Sequence, residues 1–302
     1  MPAISFNGLI AGVLFAAFWS GSFIAIKFAL PLAPPLWLAA GRLVAASLVL
    51  LAVFARPAMR IIRDASPRMR WRMLAAAVLT QSYYLGATFH ALVTLPAALV
   101  SILGSSLPLI SIPMATAMLG EKASPREVVA TLVGIAGIVV AILGKPGADG
   151  LTDALLSPSI LVMLSGVLAL AFGNTLLKSI VSKSDVVPLV ATQMAGGGFV
   201  LLLFAISVEG PPHFDWKFTA SFGFAYLVFM GSIAATWMWI VTLHRFSAIG
   251  ASGFFLLIPV FGIVFGRLFL DEVVTPLQLL GTAVLCAMIL VRSLSISKRE
   301  TR

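Results

Sequence analysis

Charge is scarce in this chain. Only 10% of its 302 residues are Asp, Glu, Lys or Arg, against 60% hydrophobic, whereas a soluble domain carries about 25% charged residues. So few charges cannot cover a water-facing surface, and a mean hydropathy of +1.08 makes lipid the expected solvent. Cysteine is nearly absent: Cys286 stands alone, which excludes an intrachain disulfide. No Walker loop, zinc-ligand spacing or nucleophile elbow occurs, so nucleotide-driven pumping, hydrolysis and a bound cofactor or metal are not expected. The net charge of +9 does not indicate nucleic acid, because the basic residues flank apolar runs. Acids are missing where they would matter most. All eleven Asp and Glu fall in loops or at run ends, so no mid-membrane carboxylate is available as a proton relay.

Long apolar runs dominate instead. They fall at about 6–29, 35–55, 73–93, 97–119, 126–143, 158–181, 187–208, 219–242, 249–270 and 275–292, each near the roughly 20 residues that a membrane helix needs. The expected fold is an all-α integral membrane protein of ten transmembrane helices. The first run lacks a basic flank and is too long for a signal-peptide core, so it reads as a retained span. If the connections alternate sides, one side holds fifteen Lys and Arg, including Arg56, Arg60, Arg63, Arg68, Arg70 and Arg72, and the other three. The positive-inside rule then puts both termini in the cytoplasm.

The chain repeats itself. "LGEKASP" at 119–125 echoes "LDEVVTP" at 270–276, and a shift of 151 residues superposes the apolar runs without a gap. Lys27 then meets Lys178, Pro108 meets Pro259, and Glu121 meets Glu272. Two units follow, 1–148 and 149–302, each with five spans. Five is odd, so the second unit enters the membrane from the opposite side, the inverted-topology arrangement common among secondary transporters.

Three stretches carry a family resemblance: "FWSGSFIAIKFALPLAPPLWLAAGRL" at 18–43, "LPAALVSILGSSLPLISIPMATAMLGEKASPREVVATLVGIAGIVVAI" at 95–142, and "IGASGFFLLIPVFGIVFGRLFLDEVVTPLQLLGTAVLCAMILV" at 249–291. The chain resembles EamA-type members of the drug/metabolite transporter superfamily over essentially its whole length. The second repeat departs from the pattern with "LDE" in place of "LGE". The resemblance implies ten transmembrane helices, a bacterial inner-membrane location and, frequently, efflux of amino acids or other metabolites.

Several polar and aromatic residues sit where a transport path would pass. Trp19 and Ser22 share a face, as do Gln81 and Tyr84 within "TQSYY"; Ser105, Asn174 and Trp237 lie in other spans. In hydrocarbon such groups need partners or water, and a shared substrate cavity would satisfy them together. For the individual serines, bonding within or between helices is the simpler expectation. Arg42 stands about seven residues into the second span, with Gln193 as its repeat mate; it either snorkels to the headgroups or holds a substrate carboxylate. Paired Pro108 and Pro259 are candidate gates or hinges. Glu121 and Glu272 are expected to fasten helix hairpins by accepting hydrogen bonds from helix N-termini. "GxxG" at Gly134 and Gly137 and "AGGG" at 195–198 are expected to permit close helix packing. The reading is a metabolite exporter working by alternating access as a facilitator or exchanger, monomer or homodimer, in contact with membrane lipid. A lipid or lipid-linked-carrier flippase is the alternative; an intramembrane enzyme lacks the residues it would need.

Overall fold

The structure is a computed structural model that describes residues 6–119, 125–145, 147, 156–178, 186–246 and 253–300. Glu121 and Ser124 therefore lie outside the described residues. Those described form helices and turns only, with no strand. The chain runs through α1 (Phe6–Ala29), α2 (Pro35–Asp64), α3 (Pro67–Ala77) and α4 (Tyr84–Thr94), then α5 (Ala97–Gly104), α6 (Leu107–Leu119) and α7 (Pro125–Leu143). The second half follows with α8 (Pro158–Lys178), α9 (Val186–Glu209), α10 (Phe218–Val228), α11 (Ala235–Arg245), α12 (Leu257–Leu270) and α13 (Pro276–Glu300).

Among the described residues seven stretches of helix are long and apolar enough to cross a membrane, and the apolar parts of α7 and α13 are shorter. The rod from α3 to α4 is not among the seven. Its middle holds Thr80, Gln81, Ser82, Tyr83 and Tyr84, polar groups that lower its hydropathy. Thr80, Ser82 and Tyr84 are buried.

Irregularities recur at the repeat distance. A π turn at Val78–Tyr83 joins α3 to α4, and another at Phe229–Ala234 joins α10 to α11. Each widens the helix by one residue: the Tyr84 N–H donates to Leu79 and that of Ala235 to Met230. The 97–119 run is not one helix either. It breaks at Ser105–Ser106, just before Pro108, and α12 is preceded by a 3-10 turn at Gly253–Leu256, just before Pro259. A proline cannot donate the i→i−4 bond and its ring crowds the preceding turn, so both prolines help set these breaks.

Packing is reciprocal between the halves. α1 packs on α10, α11 and α12, while its repeat mate α8 packs on α3, α4, α5 and α6. α2 pairs with its mate α9, and α7 with its mate α13. Exchanging the halves returns this contact pattern. Small residues permit the closest approaches. A Cβ on Gly137 would stand 3.0 Å from the Gly281 carbonyl oxygen, and one on Gly281 would meet Gly137 O and stand 2.6 Å from Ala141 N. Gly198 faces Leu43 on α2, and Gly197 faces Ala77 and Gln81. Because backbone opposes Gly281, Gly281→Leu is expected to lower stability by about 2 kcal/mol or more through overpacking, read as a drop in the thermal midpoint in detergent.

One end of the bundle is closed by bonds between halves. The Glu272 carboxylate accepts from Ala97 N at 2.6 Å and Ala98 N at 2.9 Å, capping α5. The Glu209 carboxylate accepts from Leu36 N and Trp37 N at the start of α2, and Trp37 Nε1 donates to Gly210 O at 2.9 Å. Asp215 N donates to Leu32 O, and Thr275 Oγ1 to Gly144 O. Local chemistry aims Glu272. Asp271 adopts the left-handed conformation (φ 52°), its N–H donates to Gly266 O in a six-to-one helix stop, and Glu272 N donates to the same carbonyl at 3.1 Å. This accounts for "LDE": aspartate tolerates the positive φ that a glycine would take freely. Thr275 and Gln278 then form a reciprocal capping box ahead of α13. Glu272 thus fastens the opposite half rather than its own hairpin.

Candidate functional site

Arg42 sits on the buried face of α2, at 9% exposure. It does not snorkel. Its Nε donates to Ser232 Oγ at 2.8 Å and its Nη2 to Gly231 O at 2.8 Å, both in the second π turn. The π turn explains the acceptors, since widening a helix frees carbonyls from the i→i−4 ladder. Ser232 in turn donates to Leu227 O at 2.9 Å. Ser22 of α1 backs this turn: a Cβ on Gly231 would collide with Ser22 Oγ and stand 3.3 Å from Arg42 Nη2. Tyr84 and Tyr226 lie near enough to the guanidinium to interact with it electrostatically, and Trp19 approaches Tyr84. Gly21 gives the Tyr226 hydroxyl its place against α1.

Among the described residues two of the five guanidinium N–H donors find acceptors. Among the described residues no carboxylate pairs with Arg42. An isolated buried charge is costly unless paired and hydrogen-bonded, and the planar fork suits a carboxylate. The repeat mate Gln193 is also buried, at 3% exposure, and its Nε2 has no partner among the described residues.

Trp19, Ser22, Arg42 and Tyr84 therefore come together from three helices. Ser105 is fully buried at the α5–α6 break, beside Gly104, which faces Tyr84. Ser22 and Ser105 bond back to Phe18 O and Ser101 O in their own helices. Gln81, within the first π turn, is half-buried against Gly197 of α9. Two expected residues do not join the cluster: Asn174 is exposed, and Trp237 is 51% exposed. Trp239, two positions on, turns inward. Its ring lies 4.7 Å from Phe15 and 5.4 Å from Phe255, with Trp19 5.6 Å from Phe15. The helical register after the π turn decides which tryptophan faces in. Tyr226, Gly231 and Ser232 were not legible as site residues, because a π turn has no simple periodicity. Pro259 is buried in α12, and the neighbouring Ile258 carbonyl accepts from Ser20 Oγ at 3.0 Å. No group of His, Cys, Asp or Glu among the described residues could hold a metal ion.

Comparison with known proteins agrees with this architecture. A solved crystal structure shares the fold, with a TM-score of 0.69 at 18% identity, covering 97% of this chain and 98% of that one. Protein PecM of Dickeya dadantii (strain 3937) is 28% identical over 236 residues, 77% of each chain. A probable amino-acid metabolite efflux pump of Escherichia coli (strain K12) is 24% identical over 297 residues, 92% of each. The model of the EamA-like transporter family matches twice, at residues 6–143 and 157–294. With each half matched in turn, the chain belongs to the EamA-like transporter family.

Proposed function

We propose that this chain is an inner-membrane secondary transporter that exports amino acids or similar small metabolites by alternating access, as a facilitator or exchanger. The observation that carries the reading is Arg42: a buried guanidinium with no carboxylate partner among the described residues, in electrostatic reach of Tyr84 and Tyr226, with Trp19 beside Tyr84. A small metabolite bearing a carboxylate would complete it. The E. coli relative's description as an amino-acid metabolite efflux pump points the same way. A flippase would want its charge at headgroup depth in a laterally open groove, whereas Arg42 grips the second π turn.

The proposed architecture has ten spans in two inverted five-helix units, 1–148 and 149–302. Its support is the reciprocal packing, the π turns 151 residues apart and the paired breaks near Pro108 and Pro259. Such halves have nearly equal alternative packings, so a small difference in ligand affinity shifts their populations. Pro108 and Pro259 are the proposed hinges. The uneven distribution of Lys and Arg supports cytoplasmic termini and, with them, an outer position for the end closed by Glu209 and Glu272.

Purified protein in liposomes tests the function. Labelled amino acids and related carboxylates are expected to cross faster than in empty vesicles, and faster still against a counter-gradient of the same compound. A broad panel in which nothing exceeds the empty-vesicle rate would sink the proposal.

A further inference from the structure

α2 is longer than a bilayer needs. Its 30 residues span about 45 Å at 1.5 Å per residue, against a hydrocarbon core of about 30 Å. Counted from Pro35, about 20 residues reach Phe54. There the backbone leaves the helical region (φ −110°, ψ 16°), three residues before Pro57, so the helix kinks near the edge of the hydrocarbon. Beyond the kink, Arg56, Arg60 and Arg63 follow at i, i+4 and i+7, one face of a helix. With Ala55, Pro57 and Met59 they line a crevice of about 670 Å³.

The crevice is poor in negative charge. Asp64 is the one carboxylate between residues 55 and 72. It meets Arg63 Nε at 3.1 Å in a pair that is exposed on both sides, and such pairs hold weakly. Arg56 and Arg60 have no carboxylate partner among the described residues. The corner beneath is braced, since Arg70 donates from Nη2 to Arg63 O at 2.9 Å and from Nε to Ala65 O at 3.0 Å. Exposed apolar side chains accompany the arginines: Met59 lines the crevice and is 68% exposed, and Val53, just before the kink, is 73% exposed.

We propose that this crevice is a binding site for one anionic phospholipid. The guanidinium forks of Arg56 and Arg60, with Arg63 at the rim, take the phosphate and the anionic headgroup. Met59, Pro57 and Val53 border the start of the acyl chains. A soluble anion would use the charges and leave the apolar rim bare, while a zwitterionic lipid would bring its amine against three arginines. Basic pockets at the cytoplasmic edge of membrane helices suit anionic headgroups. This site has the added shape of a kinked, braced corner.

The experiment is lipid titration of the purified full chain in a mild detergent, followed by thermal midpoint and by native mass spectrometry of retained lipid. Phosphatidylglycerol is expected to raise the midpoint well above phosphatidylcholine. The triple variant Arg56→Gln, Arg60→Gln, Arg63→Gln is expected to bind it at least five-fold more weakly, with an unchanged midpoint in phosphatidylcholine. A control losing three charges elsewhere, Arg68→Gln, Arg72→Gln, Arg245→Gln, is expected to keep most of the effect. The site is overturned if the triple variant retains as much phosphatidylglycerol as the parent, or if the control loses as much as the triple variant. Stabilisation by inorganic phosphate alone, abolished in the triple variant, would make the occupant a free anion and overturn the lipid assignment. If the triple variant does not purify folded, Arg60→Gln alone takes its place, with a two-fold or greater weakening expected.

Discussion

Arg42→Gln is expected to slow transport of carboxylate substrates by about 30-fold or more while leaving the protein folded. A hydrogen bond to a charged group contributes about 1.5–3 kcal/mol, and a carboxylate on the guanidinium fork makes two. Losing even one such increment of 2 kcal/mol is a factor of about 30, since 1.36 kcal/mol is tenfold. Folding should survive, because the repeat mate Gln193 already buries a glutamine on the matching helix. Arg42→Lys should not restore the rate, since an ammonium lacks the fork that holds Gly231 O, Ser232 Oγ and a ligand together. The measurement is initial rate in proteoliposomes for an amino acid and for its decarboxylated amine. The carboxylate should suffer far more. Equal losses for the two would make Arg42 a brace for the π turn instead.

The second large effect is expected at the closed end. Glu272→Ala removes both acceptors from the start of α5 and leaves the Ala97 and Ala98 N–H groups without that cap. Two charge-assisted bonds at the low end of their range come to about 3 kcal/mol, reduced somewhat by water at a part-buried site. Glu272→Gln keeps an acceptor oxygen but brings an NH₂ group against a second N–H, so it should fall between parent and Ala. Thermal midpoints in detergent give the order parent, Gln, Ala. Because the lost bonds join the two halves at one end only, a cysteine introduced beside Gly104 in Cys286→Ser protein should also label faster from that end in the Ala variant. Unchanged midpoint and unchanged labelling together would reduce Glu272 to an ordinary loop acid.

These two residues show how differently the sequence speaks. Glu272 stood out because it belongs to a repeated phrase, and helix electrostatics predicted its bond to an N-terminus. Which N-terminus could not be predicted. A carboxylate four residues from the next helix looks local, and only the packing of α12 against α5 brings Ala97, 175 residues away, within 2.6 Å. Glu209 drew no notice at all, because no motif surrounds it. Arg42 was conspicuous as a charge within an apolar run, yet snorkelling and inward binding were equally compatible with its depth.

Composition and periodicity by themselves determined that lipid is the solvent, that the elements are helices, and that the chain is built twice. Each follows from properties that add along the chain: total apolar content, run length, and similarity at a fixed shift. The tertiary structure decided the rest. It placed π turns at "VLTQSY" and "FMGSIA", which no local pattern marks, turned Trp239 inward and Trp237 outward, and gave Arg42 acceptors on a helix some 190 residues away. Those outcomes depend on a one-residue shift of helical register and on which helices meet. Both are settled by close packing between distant segments, and no local property of the chain records it.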